Sequence, residues 1–162
     1  MSGTETDING LLPDDQMALY ALAAGYCSAV DRESLTDLLA VFTEDAELSV
    51  HYEHPEQPDA VFRGHAELER VIDGIGRYDK TFHFLGGSRF WNDSGIARGE
   101  VYCKAHHLMQ TQVGGVDFVM FIRYSDQYSK AGPHWRIEKR RLDVDWTETR
   151  AANRPEWRRL QK

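Results

Sequence analysis

Two cysteines in 162 residues, Cys27 and Cys103, are too few and too far apart for a disulfide framework or a multi-thiolate zinc site. They read as small buried hydrophobes kept reduced, and a cytoplasmic protein is expected. No apolar run approaches the ~20 residues that span a bilayer. The stretch from Met1 to Asn9 is polar and acidic, without the apolar centre of a signal peptide. Nineteen Lys and Arg stand against 26 Asp and Glu, and the net charge of −7 argues against a surface for nucleic acid or an anionic membrane. Arg140, Arg141, Arg150, Arg154, Arg158 and Arg159 do cluster late. Acids accompany them and no aromatic platform does, so they read as a solvated helix face or a subunit contact. No Gly-x-Ser-x-Gly nucleophile motif occurs. Gly86-Gly87 is followed by no helix start or lysine and makes no phosphate loop. Without repeats, low-complexity tracts or a linker, residues 1–162 are expected to form one domain.

What is present is a clear patterning. Residues 1–12 read as a loose arm. Pro13 with Asp14 and Asp15 opens a helix whose first turn suits the dipole. Its apolar stripe is read as Met17, Tyr20, Ala21, Ala24, Cys27 and Ser28, at three- and four-residue steps. Leu35, Leu38, Leu39 and Phe42 mark a second, short helix. Ala46–Tyr52 and Val61–Arg63 read as short strands. A third helix opens at Gly64-His65-Ala66-Glu67 and turns Leu68, Val71, Ile72 and Ile75 inward. Four long strands follow over Thr81–Asp93, Ile96–Gln112, Gly115–Ser129 and His134–Trp146, separated by turn-forming segments. A polar helix is expected from Glu148 towards Leu160. This order predicts an α+β cone, a strongly curved mixed or antiparallel sheet with the N-terminal helices over an apolar cavity. Both faces of the long strands carry apolar side chains, so a homo-oligomer covering the outer face is expected.

Three ionisable residues fall on rows expected to be buried, where they seldom occur without a partner or a task. Asp31 lies seven residues after Ala24, only about 20° from it around the helix axis. It reads either as the end of the buried stripe or as a cap for the second helix. In Ala97–Gln110 the odd row is Val101, Cys103, Ala105, His107 and Met109. Alternation therefore sends His107 inward and His106 outward. His83 sits in Thr81-Phe82-His83-Phe84-Leu85, apolar on both faces. Each histidine alone fits a structural role, but together with Asp31 they suggest acid–base chemistry. The inward row of Val116, Phe118, Met120, Ile122 and Tyr124 would supply cavity wall. His51-Tyr52-Glu53-His54 and His106-His107 invite a metal reading. Adjacent strand histidines point to opposite faces, however, so no metal is expected.

Over residues 14–147 the chain resembles the nuclear transport factor 2-like superfamily, in its SnoaL-like branch. Thr81-Phe82-His83-Phe84-Leu85-Gly86-Gly87-Ser88-Arg89-Phe90 resembles the segment of scytalone dehydratases that carries a catalytic histidine. Ala29-Val30-Asp31-Arg32 resembles the catalytic-aspartate segment of those enzymes and of hexachlorocyclohexane dehydrochlorinases. Lys104-Ala105-His106-His107 is similar to the segment with a second active-site histidine, matched best by His107. Tyr26 matches a catalytic tyrosine of bile-acid dehydratases. Val30 departs from the pattern, since scytalone dehydratases carry a tyrosine there.

The resemblance implies a cofactor-independent lyase that removes water or HX from a hydrophobic cyclic molecule. Catalytic roles would fall to Asp31, His83, His107 and Tyr26, and substrate contacts to Tyr20, Tyr52, Cys103, Phe118 and Met120. A trimer, or else a dimer, is implied. Two alternatives stay open: an isomerase or cyclase of polyketide or steroid type using the same dyad, and a non-catalytic ligand-binding or assembly subunit. An Asp31–His83 hydrogen bond beside an apolar pocket would favour the enzymes, and a filled core with these side chains apart would favour the subunit.

Overall fold

A computed structural model describes residues 10–52, 54–112 and 114–153. Helix α1 (Pro13–Asp31) is followed by α2 (Leu35–Val41), β1 (Phe42–His51), β2 (Ala60–Arg63) and α3 (Gly64–Ile75). Four long strands complete the order: β3 (Lys80–Asp93), β4 (Ile96–Thr111), β5 (Gly114–Ala131) and β6 (His134–Ala152). They form one six-stranded, curved and unclosed sheet in the order β2-β1-β6-β5-β4-β3. All neighbours are antiparallel except β1 and β6, which run parallel. The helices lie over the inward face, where Leu19, Leu38, Leu48, Leu68, Val101 and Ile137 are almost wholly buried. No described helix is long and apolar enough to cross a membrane.

Irregularities in the strands keep the apolar rows in phase. Inward positions of β3 are Thr81, His83 and Leu85, yet Phe90 is also inward. The change from odd to even occurs at a bulge between Leu85 and Ser88, where Gly86-Gly87 supplies the extra residue. Inward Phe90 then fits only because its neighbour across the ladder is Gly99. A Cβ there would come within 2.6 Å of the Phe90 ring and 2.8 Å of the Tyr128 hydroxyl.

Four expectations change. The buried face of α1 is Leu19, Leu22, Ala23, Tyr26, Cys27, Ala29 and Val30, whereas Met17 is 73% and Tyr20 42% exposed. Half of the expected stripe was Ala and Ser. The helix buries its larger side chains instead, and a helix apolar on several sides leaves periodicity indecisive. Of the supposed arm, residues 1–9 lie outside the described residues, while Leu11 is buried in the core. The expected helix from Glu148 begins as strand. Thr147 and Thr149 favour extended backbone, and β5 is long enough to pair Glu148 with Val119 and Arg150 with Asp117. Residues 154–160 lie outside the described residues. Lastly, Arg140 is neither helical nor solvated, being 1% exposed within β6.

Candidate active site

The last residue of α1 meets the second residue of the inward row of β3. Asp31 Oδ1 accepts from Thr81 Oγ1 at 2.8 Å and from His83 Nδ1 at 2.7 Å, and Oδ2 accepts from the His83 backbone N–H at 2.9 Å. Strand alternation makes this possible, because residues i and i+2 present their side chains on one face. The capping alternative for Asp31 falls away: Ser34 caps α2, its hydroxyl accepting from the Asp37 N–H at 3.3 Å. Burial opposes ionisation of Asp31, but the hydrogen bonds from His83 and Thr81 outweigh it and hold the carboxyl below its usual range. Since Nδ1 of His83 donates to a carboxylate, Nε2 is the nitrogen free to accept a proton. The His83 side chain is only 5% exposed.

His83 forms part of the wall of an apolar cavity of about 190 Å³ enclosed by α1, α3 and the sheet. Tyr26 and Val30 come from α1, Leu48 and Val50 from β1, and Phe62 from β2. Val71 and Ile75 come from α3, and Met120, Ile122, Leu142 and Val144 from the long strands. Tyr78, Tyr52, His107, Arg70 and Arg77 complete the polar part of the wall. His107 and His83 meet edge to face with centroids 5.8 Å apart, and Tyr78 packs on His107 at 4.6 Å. The Nδ1–H of His107 donates to the Phe118 carbonyl at 3.1 Å. Burial, reinforced by the charge of nearby His83, lowers its titration from 6.5 to about 4, so His107 is neutral near pH 7. In that tautomer its other nitrogen accepts a hydrogen bond and cannot donate one. His106 lies on the outer side and bonds Asp117 at 2.8 Å.

Tyr26 is 4% exposed, and burial drives its hydroxyl well above the usual tyrosine range against the pull of Arg140. It therefore stays protonated and is a hydrogen-bond donor to anything in the cavity. The Arg140 guanidinium lies 4.4 Å from the Tyr26 ring centre and 4.3 Å from that of Tyr124. It is held by Asp126 in two hydrogen bonds of 2.8 and 2.6 Å, with both side chains 0% exposed. The Tyr128 hydroxyl donates to the same carboxylate at 2.9 Å. This ion pair forms the floor under Tyr26.

Of the residues expected to contact substrate, Met120 and Tyr52 line the cavity, and Tyr20, Cys103 and Phe118 do not. Tyr20 lies on the far side of α1, where it borders an outer cleft with Ser28, Asp31 and Phe84. Cys103 lies against Cys27 of α1, and the contact between the two thiols lowers its titration against the opposing effect of burial. Phe118 backs His107 from behind, with ring centroids 6.2 Å apart. Sequence reasoning missed Tyr78, the rim arginines Arg70 and Arg77, and the Asp126–Arg140 pair. The last was within reach, since extending the even row of β5 past Tyr124 places Asp126 and Tyr128 inward. Among the described residues, no three His, Cys, Asp or Glu side chains converge as a metal site would require.

A curved, unclosed sheet with N-terminal helices over an apolar cavity defines the nuclear transport factor 2-like, or cystatin-like, class of α+β folds. Within that class the chain belongs to the SnoaL-like family, whose domain model matches residues 14–141. No curated protein matches the sequence. Solved structures do. A scytalone dehydratase-like protein from Novosphingobium aromaticivorans is 23% identical with a TM-score of 0.71, the match covering 86% of this chain and 92% of that one. A type-3 hexachlorocyclohexane dehydrochlorinase from Novosphingobium barchaimii is 16% identical with a TM-score of 0.71, covering 88% and 94%. A protein from N. aromaticivorans described as of aromatic ring hydroxylase type is 19% identical with a TM-score of 0.70, covering 88% and 96%. At these identities the likeness establishes the fold.

Proposed function

We propose that the protein is a cofactor-independent lyase eliminating water, or HX, from a hydrophobic cyclic molecule. One observation carries the reading: Asp31 grips His83 through its ring and its backbone N–H, with the imidazole in the wall of an apolar cavity. In this scheme His83 Nε2 removes a proton acidified by a neighbouring carbonyl. Asp31 fixes the tautomer and stabilises the imidazolium that forms. The Tyr26 hydroxyl donates to the carbonyl oxygen as negative charge develops there, an interaction strengthened by the apolar surroundings. Neutral His107 accepts from a substrate hydroxyl and orients the leaving group. The imidazolium of His83 then returns its proton to a departing hydroxide, completing water. A halide would leave without that proton, so one dyad serves both leaving groups. Isomerisation would begin with the same proton abstraction and differ only in where the proton returns.

In this reading the protein acts as a homo-oligomer, a trimer or a dimer. Phe82, Phe84, Tyr102 and Trp146 are 60, 61, 48 and 54% exposed on the outer face of the sheet. Trp146 stacks on Phe121 with centroids 4.2 Å apart, and these rings border a groove of about 300 Å³. A second copy would cover this face.

The test is an elimination assay on cyclic β-hydroxyketones and on hexachlorocyclohexane, reading the unsaturated product by chromatography. Product formation that needs His83 supports the reading. Ligand binding without turnover across both substrate types would move a binding subunit ahead of it.

A further inference from the structure

The charged groups in the cavity wall are all of one kind. They are the guanidinium groups of Arg70 and Arg77, beside the imidazoles of His83 and His107, and among the described residues no aspartate or glutamate lines it, because Asp31 stands behind His83. This runs against the whole chain, whose net charge is −7. The acids of α3 do not neutralise the site. Glu67 accepts from the Arg63 backbone N–H at 2.7 Å, and neither Glu69 nor Asp73 borders the cavity. Among the described residues neither Arg70 nor Arg77 has a carboxylate partner.

Both arginines are nevertheless held in place. The Arg70 guanidinium lies 5.4 Å from the centre of the Phe62 ring. That of Arg77 lies 4.9 Å from the Tyr78 ring, and its Nη2 donates to the Tyr78 hydroxyl at 2.9 Å. Phe62 and Tyr78 are themselves cavity wall, so each cation is seated on the rim by a ring that faces the ligand space. Seven residues separate the two, about two helical turns, which brings both to one side. Gly76 keeps right-handed helical backbone at φ −58° and ψ −13°, carrying that phase beyond the end of α3. The Arg77 charge also contributes to keeping His107 neutral.

We propose that Arg70 and Arg77 select an anionic substrate: a hydrophobic ring carboxylate, with its ring in the cavity and its carboxylate at the cationic mouth. A wall with charge of one sign in an apolar setting concentrates ligands of the opposite sign. Guanidinium groups match carboxylate oxygens through paired N–H donors. The proposal rests on the lyase reading for what happens to the ligand, but not for its binding. The carboxylate would hold the ring with its far edge towards His83, making the two arginines specificity determinants.

The test compares 2-naphthoate with 2-naphthamide, ligands of one shape that differ in charge, by titration calorimetry at low ionic strength and mildly alkaline pH. The wild type should bind the carboxylate about tenfold more tightly than the amide. Arg70→Gln/Arg77→Gln should erase that preference while leaving the amide affinity in place, and Arg70→Lys/Arg77→Lys should keep part of it. Equal affinity for both ligands in the wild type, failure of naphthoate to bind, or a preference surviving in the glutamine double variant would overturn the proposal. The lyase reading fails separately. If His83→Ala retains both turnover and the preference for naphthoate, the dyad is wrong and the anion site stands.

Discussion

Asp31 and His83 show how much one carboxylate can organise when its hydrogen bonds come from a single strand. Three donors from Thr81 and His83 converge on it, and together they leave one imidazole nitrogen for chemistry. Their stabilisation depends on ionised Asp31. Its pKa is lowered by folding, so this stability is present above the usual carboxylate range and is lost as pH falls through the depressed value. His107 adds a second acid sensitivity. Its titration falls from 6.5 to about 4 on folding, so the folded protein binds fewer protons than the unfolded chain between those values. Stability is therefore complete above pH 6.5 and declines as pH drops towards 4, by on the order of 3 kcal/mol. Urea midpoints measured across that range should show the decline in the wild type and a shallower one in His107→Gln. Identical slopes in the two would remove the argument for a neutral His107.

At the level of elements, β5 and β6 do more than supply wall, because their inward rows bury a complete ion pair. Removing one partner leaves the other charged and unpaired in the core. Arg140→Met should therefore destabilise the protein by about 3–5 kcal/mol, measured by chemical denaturation, and Asp126→Leu/Arg140→Met should recover part of that loss. Gly99→Val should cost about 1–3 kcal/mol by forcing the Phe90 ring from its seat. Much of this architecture was legible in the sequence. Alternation separated His107 from His106, and the turn segments marked the long strands within a few residues. The face of α1 was not legible, because Leu19, Leu22 and Tyr26 compete with a second apolar stripe. Nor was the strand from Glu148 to Ala152, whose polar residues are extended by pairing with β5 rather than by any local apolar pattern. Asp31 entered the argument through a stripe that proved exposed at Met17 and Tyr20. It reaches His83 because it ends the helix beside β3. Arg70 and Arg77 escaped notice because nothing local distinguishes a rim arginine from a solvated one.

At the scale of the whole molecule, helices close one face of the sheet and the opposite face carries exposed rings. Light scattering at micromolar concentration should give two or three times 18.6 kDa. Phe84→Glu with Trp146→Glu should reduce this to the single-chain mass, and a wild-type monomer would contradict the proposed assembly. The central claim is that the covered face encloses an apolar chamber in which His83, held by Asp31, moves a proton. The most direct measurement is the elimination rate of folded Asp31→Asn and His83→Ala on a substrate turned over by the wild type. The account predicts loss of turnover in His83→Ala and a fall of roughly a thousandfold or more in Asp31→Asn, because an amide cannot stabilise the imidazolium. Near-wild-type rates in both variants would contradict it.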